Sequence, residues 1–128
     1  MARLSEQFTM NNTCIAPQTL SNSTASSIGM SMATHRRFVY NCYAGSIPSS
    51  GALAWKLQQS DAVGGTYHDI SGKTASHTDG EDGNIKTIEI NSSELTVLPG
   101  HPFVRVFVTE SGTQTCYIEA SLIMENDY

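Results

Sequence analysis

From Arg36 onward, apolar residues recur at every second position, and the stretches between these runs are rich in Gly, Ser, Asn and Asp. This alternation predicts strands joined by turns, with almost no helical spacing. Residues 37–43 place Phe38, Tyr40 and Cys42 on one face and Val39 and Tyr43 on the other, so both faces are partly apolar and the strand is expected inside a sheet. After a turn region at 45–51, Leu53, Trp55 and Leu57 alternate with Ala54, Lys56 and Gln58, the clearest half-buried strand of the chain. Val104, Val106 and Val108 alternate with Arg105 and Phe107, and Cys116, Ile118, Ala120 and Leu122 alternate with Tyr117, Glu119 and Ser121. Glu110-Ser111-Gly112-Thr113 separates these two runs at hairpin length, so they are expected to pair antiparallel. Residues 85–90 form a shorter strand with Ile88 and Ile90 inward. Shared parity predicts one core made of Leu53, Trp55, Leu57, the three valines, Ile118 and Ala120.

Short strands spaced by turn signals describe an all-β protein, an antiparallel β-sandwich of jelly-roll-like form. Helix is confined to two candidates: residues 2–10, where Leu4 and Phe8 stand four apart, and residues 92–95, room for one turn. The first residues differ from the rest, because Asn11-Asn12-Thr13 and Leu20-Ser21-Asn22-Ser23-Thr24 interrupt the apolar positions before alternation develops. Residues 1–23 therefore read as an extended N-terminal arm and residues 24–128 as a single β-sandwich domain. Pro17 removes a ladder donor and confines residues 14–20 to a sheet edge or a tether. The arm carries Leu4, Phe8, Met10, Ile15 and Leu20, which must be buried on the chain's own domain or on a neighbour; a sister subunit or partner surface is the expected recipient.

Composition narrows function by exclusion. A chain of 128 residues supports one core. Seven basic against twelve acidic side chains give a net charge of −5, which leaves little cationic surface for nucleic acid. No apolar run reaches the roughly 18–20 residues of a membrane span, and no signal-peptide pattern opens the chain, so synthesis in a cytoplasm is expected. Cys14, Cys42 and Cys116 lack zinc half-site spacing and read as small apolar fillers. Asp79-Gly80-Glu81-Asp82-Gly83-Asn84 gathers carboxylates, but not in the order of a calcium loop, so it reads as a connection without a metal. His35, His68, His77 and His101 are scattered, and neither a Gly-x-Ser-x-Gly elbow nor a phosphate-cradling loop is present. No enzymatic activity and no cofactor are expected. Trp55 sits between two core leucines, leaving Tyr40, Tyr43, Tyr67 and Tyr117 as the aromatic candidates for a surface; Tyr43 and Tyr67 join the arm residues as candidate interface positions.

His35-Arg36-Arg37-Phe38-Val39-Tyr40, Ala44-Gly45-Ser46-Ile47, Leu53-Ala54-Trp55-Lys56-Leu57-Gln58-Gln59-Ser60-Asp61-Ala62 and Gly64-Gly65-Thr66-Tyr67-His68-Asp69-Ile70-Ser71-Gly72 follow one another in an order that resembles the capsid cement, or decoration, proteins of tailed bacteriophages. The resemblance covers residues 24–72, with a looser echo at 103–109 and 115–123. It implies a β-rich protomer that forms a homotrimer, binds the major capsid protein on the outside of an HK97-type shell, stabilises that shell and carries no chemistry. The virion exterior is the implied location. Two other classes fit the same residues: a carbohydrate-binding or receptor-binding sandwich, and a head-tail or tail structural component.

Overall fold

The computed structural model describes residues 8–33, 35–95, 102–112 and 115–126, the side chains of 8–13 and 126 excepted. Nine strands follow in chain order: β1 (Phe8–Leu20), β2 (Thr24–Ser26), β3 (Met30–Ser31), β4 (His35–Ala44), β5 (Ala52–Ser60), β6 (His68–Thr78), β7 (Ile85–Asn91), β8 (Phe103–Glu110) and β9 (Cys116–Asn126). They build two antiparallel sheets, β1-β9-β4-β7 and β2-β8-β5-β6, with β3 also paired to β8. Most links cross from one sheet to the other, and β5–β6 is the pair of consecutive strands bonded as a hairpin among the described residues. This alternation between layers is the jelly-roll-like sandwich that the period-two pattern predicts.

The inner faces meet as predicted. Phe38, Tyr40, Cys42 and Ala44 from β4 and Ile118, Ala120 and Leu122 from β9 pack with Leu53, Trp55 and Leu57 from β5 and Val104, Val106 and Val108 from β8. β4 lies between β9 and β7, the inner position that its two apolar faces require. The single turn expected near residue 92 is a 3-10 turn, Ser92–Glu94, closed by the Glu94 carboxylate accepting from the Asn91 N–H at 2.8 Å.

Four expectations are corrected. β8 and β9 do not pair: β8 bonds to β5 while β9 bonds to β1 and β4, so the link after Glu110 is a crossover between sheets. Each of the two strands has its own inward apolar row, and alternation alone cannot separate a hairpin from an arch that places those rows opposite each other. Glu110 fixes the arch. Its buried carboxylate accepts from the N–H groups of Asn22 and Gly112 at 2.8 and 2.6 Å, and its own N–H donates to the Ser23 carbonyl. Second, residues 8–10 are strand, and the remainder of the helix candidate lies outside the described residues.

Third, the expected arm is continuous with the domain from Phe8 onward. β1 pairs with β9 from Phe8↔Glu125 to Leu20↔Cys116, and Ile15 and Leu20 are buried in the chain's own core. The polar interruptions at 11–13 and Pro17 coincide with register irregularities between Asn11 and Ile15 and between Ile15 and Gln18, so they bend an edge strand without detaching it. Fourth, Tyr40 is in the core, where its hydroxyl donates to the Val104 carbonyl at 3.2 Å.

Candidate functional site

The outer face of the β2-β8-β5-β6 sheet carries an ordered polar and aromatic row. Because Val104, Val106, Val108 and Leu53, Trp55, Leu57 point inward, the intervening Arg105, Phe107, Lys56 and Gln58 are placed outward. Register sets Arg105 opposite Gln58 and Gln58 opposite Asp69. The second pairing depends on a bulge in β6. Lys56 faces Thr74 and Gln58 faces Asp69, so the four residues 70–73 span the stretch that Leu57 alone spans on β5, with Ile70 buried and Gly72 at φ +78° making the excursion. Lys73 in this bulge is held by Glu94 at 2.7 Å.

The row is connected from end to end. Arg105 Nε donates to Gln58 Oε1 at 2.9 Å, Gln58 Nε2 donates to Asp69 Oδ1 at 2.8 Å, and Lys56 Nζ donates to Asp69 Oδ2 at 3.1 Å. Hydrogen bonds from Gln58 and Lys56 hold the Asp69 carboxyl below the ordinary range. The Arg105 guanidinium stacks over the Tyr67 ring, 4.0 Å from its centroid, with the Phe107 ring 5.6 Å away. Lys56 Nζ lies 5.3 Å from the Phe107 centroid. Tyr67 reaches this position from the 61–67 turn by donating its hydroxyl to the Val63 carbonyl at 2.8 Å. Gly29 makes room for it, since a methyl group there would collide with the Tyr67 hydroxyl.

Beside this row the face drops into a groove of about 500 Å³ whose lining includes Ala54, Lys56, Thr74, Ser76 and Thr109. Cross-strand register aligns Thr109, Ala54 and Ser76, so small side chains and hydroxyls make up much of the groove floor.

The predicted interface residues are not brought together. Leu4 lies outside the described residues, Phe8 and Met10 occupy backbone positions opposite Glu125 and Ile123, and Ile15 and Leu20 are in the core. Tyr43 is on the outer face of the other sheet, opposite Ile85 and close, with Tyr117, to Gly45. Tyr67 alone of the set belongs to the row described above. Sequence reasoning missed Arg105, Gln58, Asp69, Lys56 and Phe107 as site residues, although their outward parity was readable; their convergence depends on strand order and on the β6 bulge.

The other chemical candidates have structural partners. Glu81 accepts from the Thr78 N–H and hydroxyl and pairs with Lys86, which together hold its carboxyl down to about 2, and Asp82 accepts from the Ile47 N–H at 3.3 Å. His77 is buried: its Nδ1 accepts from Trp55 Nε1 and its Nε2 donates to the Asn84 carbonyl, both at 3.0 Å. Cys42 and Cys116 are buried, and Cys14, which is half-buried, has its thiol pushed up to about 11 by burial. Among the described residues no three His, Cys, Asp or Glu side chains are grouped to hold a metal.

No family model and no curated protein matches the chain. Among solved structures, the fold is similar to a chain in the structure of the infectious bursal disease virus Gx strain (11% identity, 92% of this chain against 31% of that one, TM-score 0.56), so this chain spans less than a third of its length. It is also similar to a carbohydrate-binding module, CBM28, specific for non-crystalline cellulose (10% identity, 94% against 80%, TM-score 0.52). A third similarity is to the SPBc2 prophage-derived protein YomS (13% identity, 84% against 93%, TM-score 0.50). At these identities the likeness is one of fold, a β-sandwich used by structural and binding proteins alike.

Proposed function

We propose that this protein is a structural component of a phage virion that docks as a trimer on the outside of an HK97-type capsid, through its major capsid protein, and stabilises the shell without catalysis. The observation that carries this is the braced row Tyr67–Arg105–Gln58–Asp69–Lys56. It fixes long polar side chains on an open sheet face before any partner arrives, which lowers the entropy lost on docking. The aromatic rings of this face already have cations against them, an arrangement suited to a polar protein surface and poorly suited to stacking a sugar. The fold likeness to a virus chain and a prophage-derived protein supports the same assignment. A protein that binds only the assembled shell stabilises it by mass action, and three linked contacts raise the effective concentration of the second and third.

The test is to heat expanded shells of the capsid protein encoded alongside this chain, with and without the purified protein. A raised disruption temperature and co-sedimentation at a fixed stoichiometry are expected; shells that neither bind it nor gain heat resistance overturn the proposal.

The hydroxyl-lined groove favours a second reading, a carbohydrate-binding module. Retardation of the protein in a gel containing soluble β-glucan would support it, and unchanged mobility across a panel of polysaccharides would reject it.

A further inference from the structure

Resting on the docking role, we propose that Arg105 is the anchor of the contact and that its occupant is the carboxylate of an Asp or Glu side chain on the capsid protein's surface. Among the described residues, every other cationic side chain has a carboxylate partner: Arg36 and Arg37 at Glu125, Arg37 also at Glu89, Lys56 at Asp69, Lys73 at Glu94 and Lys86 at Glu81. Arg105 has none among the described residues, in a chain with five more acidic than basic side chains.

The Arg105 side chain is nevertheless fixed. Gln58 takes its Nε–H, Tyr67 stacks on the guanidinium plane, Phe107 flanks it, and Asp69, itself held by Lys56, holds Gln58 in turn. Asp69 is turned toward Gln58 and Lys56 and does not neutralise it. The two terminal nitrogens remain as a planar pair of donors, which match the two oxygens of a carboxylate. A half-buried, pre-oriented arginine beside aromatic rings is the type of residue that dominates interface energetics.

The full-length ¹⁵N-labelled protein can be titrated with N-acetyl-glutamate N-methylamide, with inorganic phosphate and sodium chloride at matched ionic strength as separate arms, while the Arg105 Nε–H resonance is followed. A saturable shift with the glutamate probe, absent with chloride, is expected. No shift, or the same shift with chloride, overturns the site; tighter binding of phosphate overturns the carboxylate as its occupant. Shell co-sedimentation supplies the second readout. Arg105→Lys, which keeps the charge and loses the fork, should weaken shell binding about ten-fold or more, as should Tyr67→Leu, which removes the stack and leaves the charge. Unaltered shell binding by both variants overturns the anchor and leaves docking standing. Wild-type protein that ignores shells yet titrates with the probe overturns docking and leaves the carboxylate site standing.

Discussion

His77 shows how much one buried ring can impose on the chain around it. Burial holds its imidazole below the ordinary value of 6.5; Lys86 adds to the effect, while the Asn84 hydrogen bond, the larger of the opposing influences, and Glu81 work against it. Its Nδ1 must stay unprotonated to accept from Trp55, and protonation would set two donors face to face. The folded state therefore binds this proton less readily than the unfolded chain. The stability involved is complete above about pH 6.5 and is lost as pH falls from there toward the folded-state value. A thermal melt series from pH 7.5 to 5.5 should show a falling midpoint, and His77→Gln, which retains an acceptor and a donor, should flatten that slope. Asp69, Glu81 and Glu94 are held down chiefly by Gln58, Lys86 and Lys73 respectively, so their contributions are lost only in a separate, more acidic window below their ordinary carboxyl values. At Trp55, 1% exposed, truncation to Ala should cost about 3–5 kcal/mol in a denaturant titration. Glu110→Ala leaves the N–H groups of Asn22 and Gly112 without their acceptor, at about 1–3 kcal/mol for each such group that stays buried; equilibrium unfolding would read the loss.

Among the elements, β8 and the 53–57 stretch of β5 are legible because buried apolar residues alternate there with less buried ones, and β4 because both its faces are partly apolar. β1 is not. Asn11, Asn12 and Pro17 break its pattern, and an edge strand with one neighbour tolerates such breaks where an inner strand would not. The neighbours of β8 and β9 escape the pattern for a related reason, since strand parity says which face is buried but not which strand lies alongside. The same limit hid the outward row: Arg105, Gln58 and Asp69 come into line only through three strands and a bulge. As a strand of the sandwich, β1 makes truncation a blow to the fold, where a detached arm could be lost without one. Deleting residues 2–20 removes Ile15 and Leu20 from the core and uncovers one edge of β9, so the product should melt well below the intact protein or aggregate. A truncated protein with an unchanged melting midpoint would show that β1 contributes nothing to the fold.

For the molecule as a whole, the two outer faces differ in kind. The β2-β8-β5-β6 face presents the braced cation and the hydroxyl groove, whereas the opposite face presents Tyr43, Tyr117 and the 61% exposed Ile85 near the carboxylate of Glu119. The proposed trimeric docking would turn one face toward the shell and leave the other to sister subunits, and native mass measurement is then expected to give three times the 13.8 kDa protomer. The pairing of β1 with β9 also has a kinetic consequence. Residues 8–20 find their hydrogen-bonding partner in residues 116–125, so on the ribosome β1 waits until about a hundred further residues have been synthesised. At roughly 5–20 residues per second this delay lasts several seconds or more, during which the strand's backbone groups stay open to any passing edge. Such distant closure makes for slow folding. Nascent chains stalled before residue 116 should therefore remain protease-sensitive throughout, and resistance should appear in one step once β9 has emerged.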